Sequence, residues 1–164
     1  MATVFATVRR AVNLIFGKGD AGTLVCPGVR TIELAPSASG TIVDFKMRIP
    51  SNARIDMRGS HVYWDDLATS GAPTLDIGLY AVDSNITSDD DCLNDGLALT
   101  TAQTVLTGAS VIKDHANGGK QAWEFVNGQT SDPGGFFDVK GIVRDAPTLT
   151  NTGTITIDLK YYKD

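Results

Sequence analysis

The alternation of apolar and polar residues in residues 74–80 constrains the fold more than any other feature of the chain. Leu75, Ile77 and Leu79 occupy every second position there, and successive side chains of an extended strand point to opposite faces of a sheet. Residues 61–64 also have strand character, and a loop rich in turn-forming residues separates the two segments. We therefore expect these two strands to form the centre of a β-sheet.

Similar strand patterns occur along most of the chain. In residues 40–49, the apolar side chains at odd positions from Val43 to Ile49 fall on one face, and Ile42 falls on the other. Short extended segments of this kind, bounded by turn formers, are typical of all-β proteins. The predicted strands are residues 23–26, 29–34, 40–49, 55–64, 74–82, 105–112, 121–126, 136–143 and 153–162.

Turn-forming pairs separate several of these strands. Pro27-Gly28 predicts a turn between the first two strands. Asn117-Gly118 and Asn127-Gly128 predict two β-hairpins, because Asn and Gly both tolerate the positive φ angles that tight hairpin turns require.

One segment predicts a helix instead of a strand. Residues 88–96 begin with Ser88, whose hydroxyl is a good helix cap, and continue with three aspartates that favour the positive end of the helix dipole. Gly96 suits the end of a helix. We expect one short helix here, followed by a loop.

The length and strand spacing predict the domain organisation. A chain of 164 residues can bury a core as one domain without disulfides or metal ions. We expect residues 1–22 to form an N-terminal arm or linker and residues 23–164 to form a single domain. Short, regularly spaced strands with almost no helix predict an all-β, antiparallel β-sandwich, with a jelly-roll-like topology as the best interpretation.

The first 22 residues differ in character from the rest. Apolar residues recur at helical spacing, yet the segment is also rich in strand-forming Thr and Val, and residues 17–22 have the composition of a hinge. We expect either an apolar, weakly basic arm that docks on a partner, or a first strand or short helix that covers the domain's own core. The residues predicted to bind a partner are Val4, Phe5, Val8, Arg9, Arg10, Leu14, Ile15 and Phe16.

The charge and hydropathy patterns argue against nucleic-acid and membrane partners. Nineteen acidic residues outnumber 14 basic ones, for a net charge of −5, whereas nucleic-acid binding needs a basic surface. No apolar run approaches the roughly 20 residues of a membrane helix. Arg9 and Arg10 interrupt the N-terminal apolar stretch too early for a secretory signal. We expect the chain to act where it is made or as part of a larger assembly.

The two cysteines, Cys26 and Cys92, lie far apart in the sequence. Without the short spacing of a metal or redox motif, they are expected to be free, buried, small hydrophobic residues. A single disulfide is the alternative.

No group of residues has the spacing of a catalytic or metal site. His61 and Asp65 are the nearest to a ligand pair, but they lie along a strand and into a loop. The neighbours Asp65 and Asp66 point to opposite faces and so do not form a catalytic carboxylate pair. We expect no catalytic residues, no metal and no cofactor, and therefore no enzyme.

An acidic cluster and a set of aromatic residues have two interpretations each. The aspartates lack the ligand pattern of a calcium loop, so a solvated helix start explains them better than an ion. The aromatic residues could form a sugar-binding platform, although core or interface packing is the simpler interpretation. The aspartates are Asp83, Asp89, Asp90, Asp91 and Asp95, and the aromatic residues are Tyr63, Trp64, Tyr80 and Trp123.

Four runs of residues occur in a characteristic order: Arg48-Ile49-Pro50 with Ala53, Trp64-Asp65-Asp66-Leu67, Pro73-Thr74-Leu75-Asp76-Ile77-Gly78, and the aspartates that precede Leu93-Asn94-Asp95-Gly96. Taken together, these runs resemble the auxiliary capsid proteins of tailed bacteriophages, usually called decoration or cement proteins. The resemblance covers about residues 40–100. It implies a β-sandwich that sits on the outside of the phage head after synthesis in the host cytoplasm. It also implies contacts that bridge neighbouring major capsid protein subunits and a homo-oligomer, commonly a trimer, and it assigns no catalytic residues.

A second class of function competes with this one. A carbohydrate- or receptor-binding module of a phage fibre or spike would have the same β-sandwich, but it should expose Trp or Tyr rings in one groove. Another virion part, such as a head-fibre base or a jelly-roll capsid subunit, is a further alternative.

Overall fold

The computed structural model describes residues 23–36, 38–68, 71–84, 86–104, 107–144 and 149–163. Within these ranges the chain forms nine strands and two short 3-10 helices. The strands are β1 (Thr23–Leu34), β2 (Ile42–Pro50), β3 (Arg54–Ile55), β4 (His61–Trp64), β5 (Thr74–Ala81), β6 (Asp89–Ala98), β7 (Ala109–Ser110), β8 (Phe136–Arg144) and β9 (Gly153–Lys163). The 3-10 helices are His115–Asn117 and Ala122–Phe125.

The strands form two antiparallel sheets that pack face to face. The first sheet has the order β1-β9-β4-β7, with the short β3 also paired to β9, and the second has the order β2-β8-β5-β6. Every strand pair is antiparallel. The prediction of an all-β, antiparallel β-sandwich is therefore confirmed.

The chain crosses between the two sheets several times as it advances. β1, β3, β4, β7 and β9 belong to the first sheet, and β2, β5, β6 and β8 to the second. The first and last strands are neighbours, and so are β2 and β8. Residues distant in sequence therefore pair directly, as Thr31 does with Thr156.

The core lies between the inner faces of the two sheets. Leu75, Ile77 and Leu79 are completely buried, as their alternation predicts. The odd-numbered residues of β2 from Val43 to Ile49 are buried as well, whereas Ile42 is exposed on the outer face. The period-two pattern thus correctly predicts which face of each strand enters the core.

The predicted arrangement of the two central strands is wrong. β4 lies in the first sheet between β9 and β7, whereas β5 lies in the second sheet between β8 and β6. The loop that joins them crosses from one sheet to the other, and Leu67 and Ala68 are buried in it. Alternation identifies the inner face of a strand but not the sheet to which it belongs.

The helix predicted at residues 88–96 is wrong, because this segment is strand β6. The Ser88 hydroxyl accepts a hydrogen bond from the backbone nitrogen of Ala81 at 2.9 Å and does not cap a helix. Register shifts interrupt the pairing of β5 with β6, and Gly96 has φ +82° within the strand. The residues that resemble a helix start therefore belong to an irregular, acidic edge strand. Its register shifts break the simple alternation of buried and exposed side chains.

The two hairpins predicted at the Asn-Gly pairs are wrong as well. Asn117 ends the first 3-10 helix, and the predicted strand 121–126 is the second 3-10 helix followed by a turn. The second helix is held by backbone hydrogen bonds from Ala122 to Ala53 and from Trp123 to Ser51. These tertiary contacts override the local hairpin preference.

Two further strand boundaries differ from the prediction. Pro27 and Gly28 do not separate two strands but form an irregularity inside the 12-residue β1, where the register with β9 shifts. Proline is tolerated there because β1 is an edge strand. Of the predicted strand 105–112, the described part contains only the two-residue β7.

Candidate functional site

A charged network covers the outer face of the second sheet where β5, β6 and β8 meet. The side chain of Asp76 on β5 is almost fully buried, and its Oδ2 accepts a hydrogen bond from Nε of Arg144 at 3.0 Å. Its Oδ1 accepts a second hydrogen bond from the backbone nitrogen of Gly96 at 2.8 Å. The Arg144 guanidinium also contacts the Asp90 carboxylate on β6. A buried carboxylate with this set of donors is fully paired.

Three consecutive aspartates at the start of β6 form the densest acidic cluster of the described residues. The carboxylates of Asp89, Asp90 and Asp91 each offer an oxygen that lies within 4.8 Å of the others. The pKa of Asp91 is raised, first by a hydrogen bond with Asp89 and then by burial. Backbone N–H of Asn127 donates to Oδ2 of Asp89 at 2.8 Å. Donors from Arg144 and Asn127 therefore offset part of the repulsion among the three carboxylates.

Arg144 is the residue of this site that sequence reasoning missed. It lies 68 residues from Asp76 and 54 from Asp90 in the sequence, so no local motif links them. Its pKa is raised, chiefly because it donates a hydrogen bond to Asp76. Because the Arg144 guanidinium already neutralises the Asp90 carboxylate, a metal cation at the cluster would have to compete with Arg144.

An open groove of about 270 Å³ lies between the edge strands β6 and β7. The Asn94 side chain is buried there and donates to the backbone oxygen of Ser110 at 2.9 Å. The backbone nitrogen of Lys113 donates to the oxygen of Leu93 at 2.9 Å, and its side chain contacts Asp95. These bonds tie the two sheets together along the groove, and its lining contains no nucleophile paired with a base.

His61 and Asp65 do not form a ligand pair. His61 is half-buried on β4, directly between Asp158 of β9 and Ser110 of β7 in register. The Asp65 carboxylate accepts two hydrogen bonds from Thr154, one from its backbone nitrogen at 2.7 Å and one from its hydroxyl at 2.8 Å. Asp65 therefore fastens a loop to β9, and the expected absence of a metal stays a prediction.

The aromatic side chains do not form an exposed platform in the described part of the chain. Trp64 is buried in the core, and Nε1 of Trp123 donates to the Gln121 side chain at 2.7 Å. The ammonium of Lys140 lies 5.3 Å from the centre of the half-buried Tyr80 ring. Core and surface packing thus account for three of the four aromatic residues considered for a sugar site, and Tyr63 is half-buried.

Among the described residues, four large apolar side chains are exposed: Val29 lies on β1 of the first sheet, whereas Ile42, Val82 and Phe136 lie near strand ends of the second sheet. Phe136 is 46% exposed and pairs with Pro50 of β2. The backbone nitrogen of Val82, which is 37% exposed, donates to the oxygen of Phe136 at 3.2 Å. These three residues form a small apolar strip at one end of the sheet.

The cysteines are free, as expected. Cys92 is half-buried, and burial raises the pKa of its thiol. Cys26 is exposed on β1, so the prediction that both are buried is wrong for this residue. It lies at the irregularity in β1, where alternation fails to predict burial.

A solved chain of the cyanophage Pam1 capsid asymmetric unit aligns with 99% of this chain and 99% of its own length. The chain is similar to a phage capsid chain. The sequence identity is 17% and the TM-score is 0.47, and values this low carry no argument about function. No family model matches the chain, and no curated protein is significantly similar to it.

The residues predicted to bind a partner lie outside the described residues. They are Val4, Phe5, Val8, Arg9, Arg10, Leu14, Ile15 and Phe16. Among the described residues, no helix is long and apolar enough to cross a membrane.

Proposed function

We propose that the chain is a structural virion protein that decorates the outside of a tailed-phage head and cements it by bridging major capsid protein subunits. The strand order carries this proposal. A five-stranded and a four-stranded sheet, with β1 beside β9 and β2 beside β8, support a jelly-roll-like topology, which is common in viral capsid and lectin domains.

The runs that resemble decoration proteins have defined structural roles in this sandwich. Ala53 is completely buried beneath the second 3-10 helix and accepts its first backbone hydrogen bond. Asp65 fastens its loop to Thr154, and Asp76 binds Arg144. The resemblance is thus concentrated in residues that build the fold, which supports a shared architecture with that class of proteins.

The surface chemistry also supports a binding role over a catalytic one. Many of the described carboxylates are paired with Arg, Lys or backbone donors, as Asp138 is with Arg48 at 2.8 Å. Catalysis needs a reactive group with a free coordination position or a partner base. A protein bound in many copies to a repeating shell needs only modest contacts at each site, because avidity multiplies them.

The N-terminal residues 1–22 are the proposed anchor. They combine apolar residues with Arg9 and Arg10, and they are continuous with edge strand β1. The partner is the major capsid protein or a sister chain within a homotrimer. No nucleic acid or membrane is part of this proposal.

Rebinding to stripped heads tests the function. The purified chain should cosediment at saturating stoichiometry with heads from which the protein has been removed, and light scattering should show an oligomer. Deletion of residues 1–19 should abolish binding while the circular dichroism spectrum of the sandwich is retained. Failure of the full chain to bind would refute the capsid role, and normal binding of the truncated chain would refute the anchor.

A charge-reversal pair sharpens the test of the anchor. Arg9→Glu with Arg10→Glu should weaken cosedimentation, because it removes the basic character of the arm. Lys163→Glu, at an exposed position at the end of β9, is the matched control and should bind normally. Equal weakening by both changes would show that net charge, and not the arm, governs binding.

The competing receptor-binding function requires exposed aromatic rings in a groove. Trp64 is buried, while Tyr80 and Trp123 are half-buried and already in contact with neighbours. A glycan array should therefore give no class-specific signal. A signal for one sugar class would favour a fibre or spike module instead.

A further inference from the structure

The Asn127-Gly128 pair lies at the tip of an exposed turn. Backbone N–H of Gln129 donates to the oxygen of Val126 at 3.2 Å, which closes the turn around the pair. Asn127 and Gly128 are both exposed, and Gly128 has φ +82°. Glycine is required at this position because a positive φ strains any residue with a Cβ atom.

The reacting atoms of this pair are unobstructed. In the part of the chain that the structure describes, no acceptor binds the Gly128 N–H and no group binds the Asn127 side-chain amide. No heavy atom lies within 4 Å of the position a Cβ atom would take at Gly128. The side-chain carbonyl carbon of Asn127 is thus accessible to the next backbone nitrogen.

The second Asn-Gly pair has a different environment. Asn117 is half-buried at the end of a 3-10 helix. Its backbone nitrogen donates to Asp114 at 3.0 Å, and its backbone oxygen accepts from Lys120 at 3.2 Å. The backbone nitrogen is hydrogen-bonded at both sites, but among the described residues only Asn117 also has its backbone oxygen bound, and this second bond restricts the rotation that ring closure needs.

We propose that Asn127 is a site of spontaneous deamidation in the folded protein and that Asn117 is protected. The backbone nitrogen of Gly128 loses its proton to hydroxide and attacks Cγ of Asn127. A new C–N bond forms, the Cγ–Nδ2 bond breaks, and the departing nitrogen takes a proton from water and leaves as ammonia, which regenerates hydroxide. A second water then opens the resulting five-membered imide at either carbonyl to give aspartate or isoaspartate. Hydroxide and water are the only other reactants, and no oxidant is needed.

The modification would act on the start of β6. Backbone N–H of Asn127 is a donor to the Asp89 carboxylate, which belongs to the cluster of Asp89, Asp90 and Asp91. Deamidation adds a carboxylate beside three others, and isoaspartate also adds a carbon atom to the backbone at this anchor. Both changes weaken the attachment of the turn to β6 through like-charge repulsion and altered geometry.

Peptide mapping of the aged full chain tests this inference. The folded chain and a denatured sample are incubated at mildly alkaline pH, and a mass increase of about 1 Da is followed for each Asn-Gly peptide. In the folded chain, the Asn127 peptide should convert several-fold faster than the Asn117 peptide, and the two rates should become similar after denaturation. Isoaspartyl methyltransferase labelling should fall strongly in Asn127→Ser and little in the matched control Asn117→Ser.

Three results would overturn the proposal. The first is equal or faster conversion of Asn117 in the folded chain, and the second is a ratio of the two rates that denaturation leaves unchanged. The third is an unmodified Asn127 in the folded chain over a period in which the denatured chain converts both sites. These outcomes do not depend on capsid binding, so they are independent of the proposed function.

Discussion

At the scale of single residues, the least expected feature is the burial of Asp76. The alternation of β5 predicts its side chain on the face away from the core, and that orientation is correct. The carboxylate is nevertheless only 5% exposed, because β6 and Arg144 cover it. Its partner comes from a strand 68 residues away, so the sequence predicts the side-chain direction but not the ion pair.

Replacing Arg144 should destabilise the protein more than replacing another ion-paired arginine. Arg144→Met leaves the buried Asp76 carboxylate without its charged donor. We expect a loss of about 2 kcal/mol, less than a fully buried pair would cost because the Arg144 side chain is partly exposed. Arg48→Met is the matched control, since Arg48 pairs with Asp138 on the surface. Urea unfolding of both variants should show a distinctly smaller loss for the control, and equal losses would contradict this assignment.

The contribution of Asp91 to the stability of the fold should depend on pH in the opposite direction to that of Asp44. The raised pKa of Asp91 means that the folded chain binds this proton more tightly than the unfolded chain. The resulting stabilisation is present below pH 3.8, the ordinary pKa, and is lost as the pH rises through the folded pKa. Asp91→Asn should therefore stabilise the protein at neutral pH, by about 0.5 kcal/mol because the side chain is exposed and screened.

Asp44 provides the control of opposite sign. Its hydrogen bond with the Lys46 ammonium lowers its pKa, so its contribution is present above pH 3.8 and is lost as the pH falls through the folded pKa. Asp44→Asn should destabilise the protein at neutral pH, and the difference should shrink in acid. Urea unfolding of both variants from neutral pH into acid measures the sign of each change in the free energy of unfolding. The same sign for both would contradict the described electrostatics.

At the scale of elements, β6 shows how strand pairing overrides a local helix signal. A serine followed by three aspartates resembles a helix start, but in the structure these residues cross over Gly78 of β5 at a register shift. The space for β6 exists because residue 78 has no side chain. A helix signal of four residues is weak against the pairing of two strands, and the glycine that decides the outcome lies ten positions earlier in the sequence.

Gly78→Ala should therefore disrupt the packing of β6 on β5. A Cβ atom at position 78 would lie far inside contact distance of the Asp89 backbone oxygen and the Asp90 backbone. Because backbone atoms cannot move aside without breaking the pairing, we expect a loss of about 3 kcal/mol. Gly141→Ala is the matched control, since its Cβ would meet mainly the flexible end of the Leu75 side chain at 2.8 Å. Thermal unfolding should show a smaller shift for the control, and equal shifts would contradict this role of Gly78.

At the scale of the whole molecule, the sequence predicts the class of fold better than its topology. The inner and outer faces of β2, β5 and β9 follow from alternation, and so does the β-sandwich. The assignment of β4 and β5 to opposite sheets does not, because each crossing depends on pairing between residues far apart in the chain. The residues proposed to bind the capsid lie before β1, where sequence composition is the only guide.

In the proposed capsid role, this sandwich sits on the outside of a phage head and bridges capsid subunits. Cryo-electron microscopy of heads with and without the chain is the decisive experiment. We expect extra density on the outer surface at positions that repeat with the symmetry of the shell, in contact with more than one capsid subunit. Density confined to a tail fibre or to the interior of the head, or no difference between the two preparations, would contradict it.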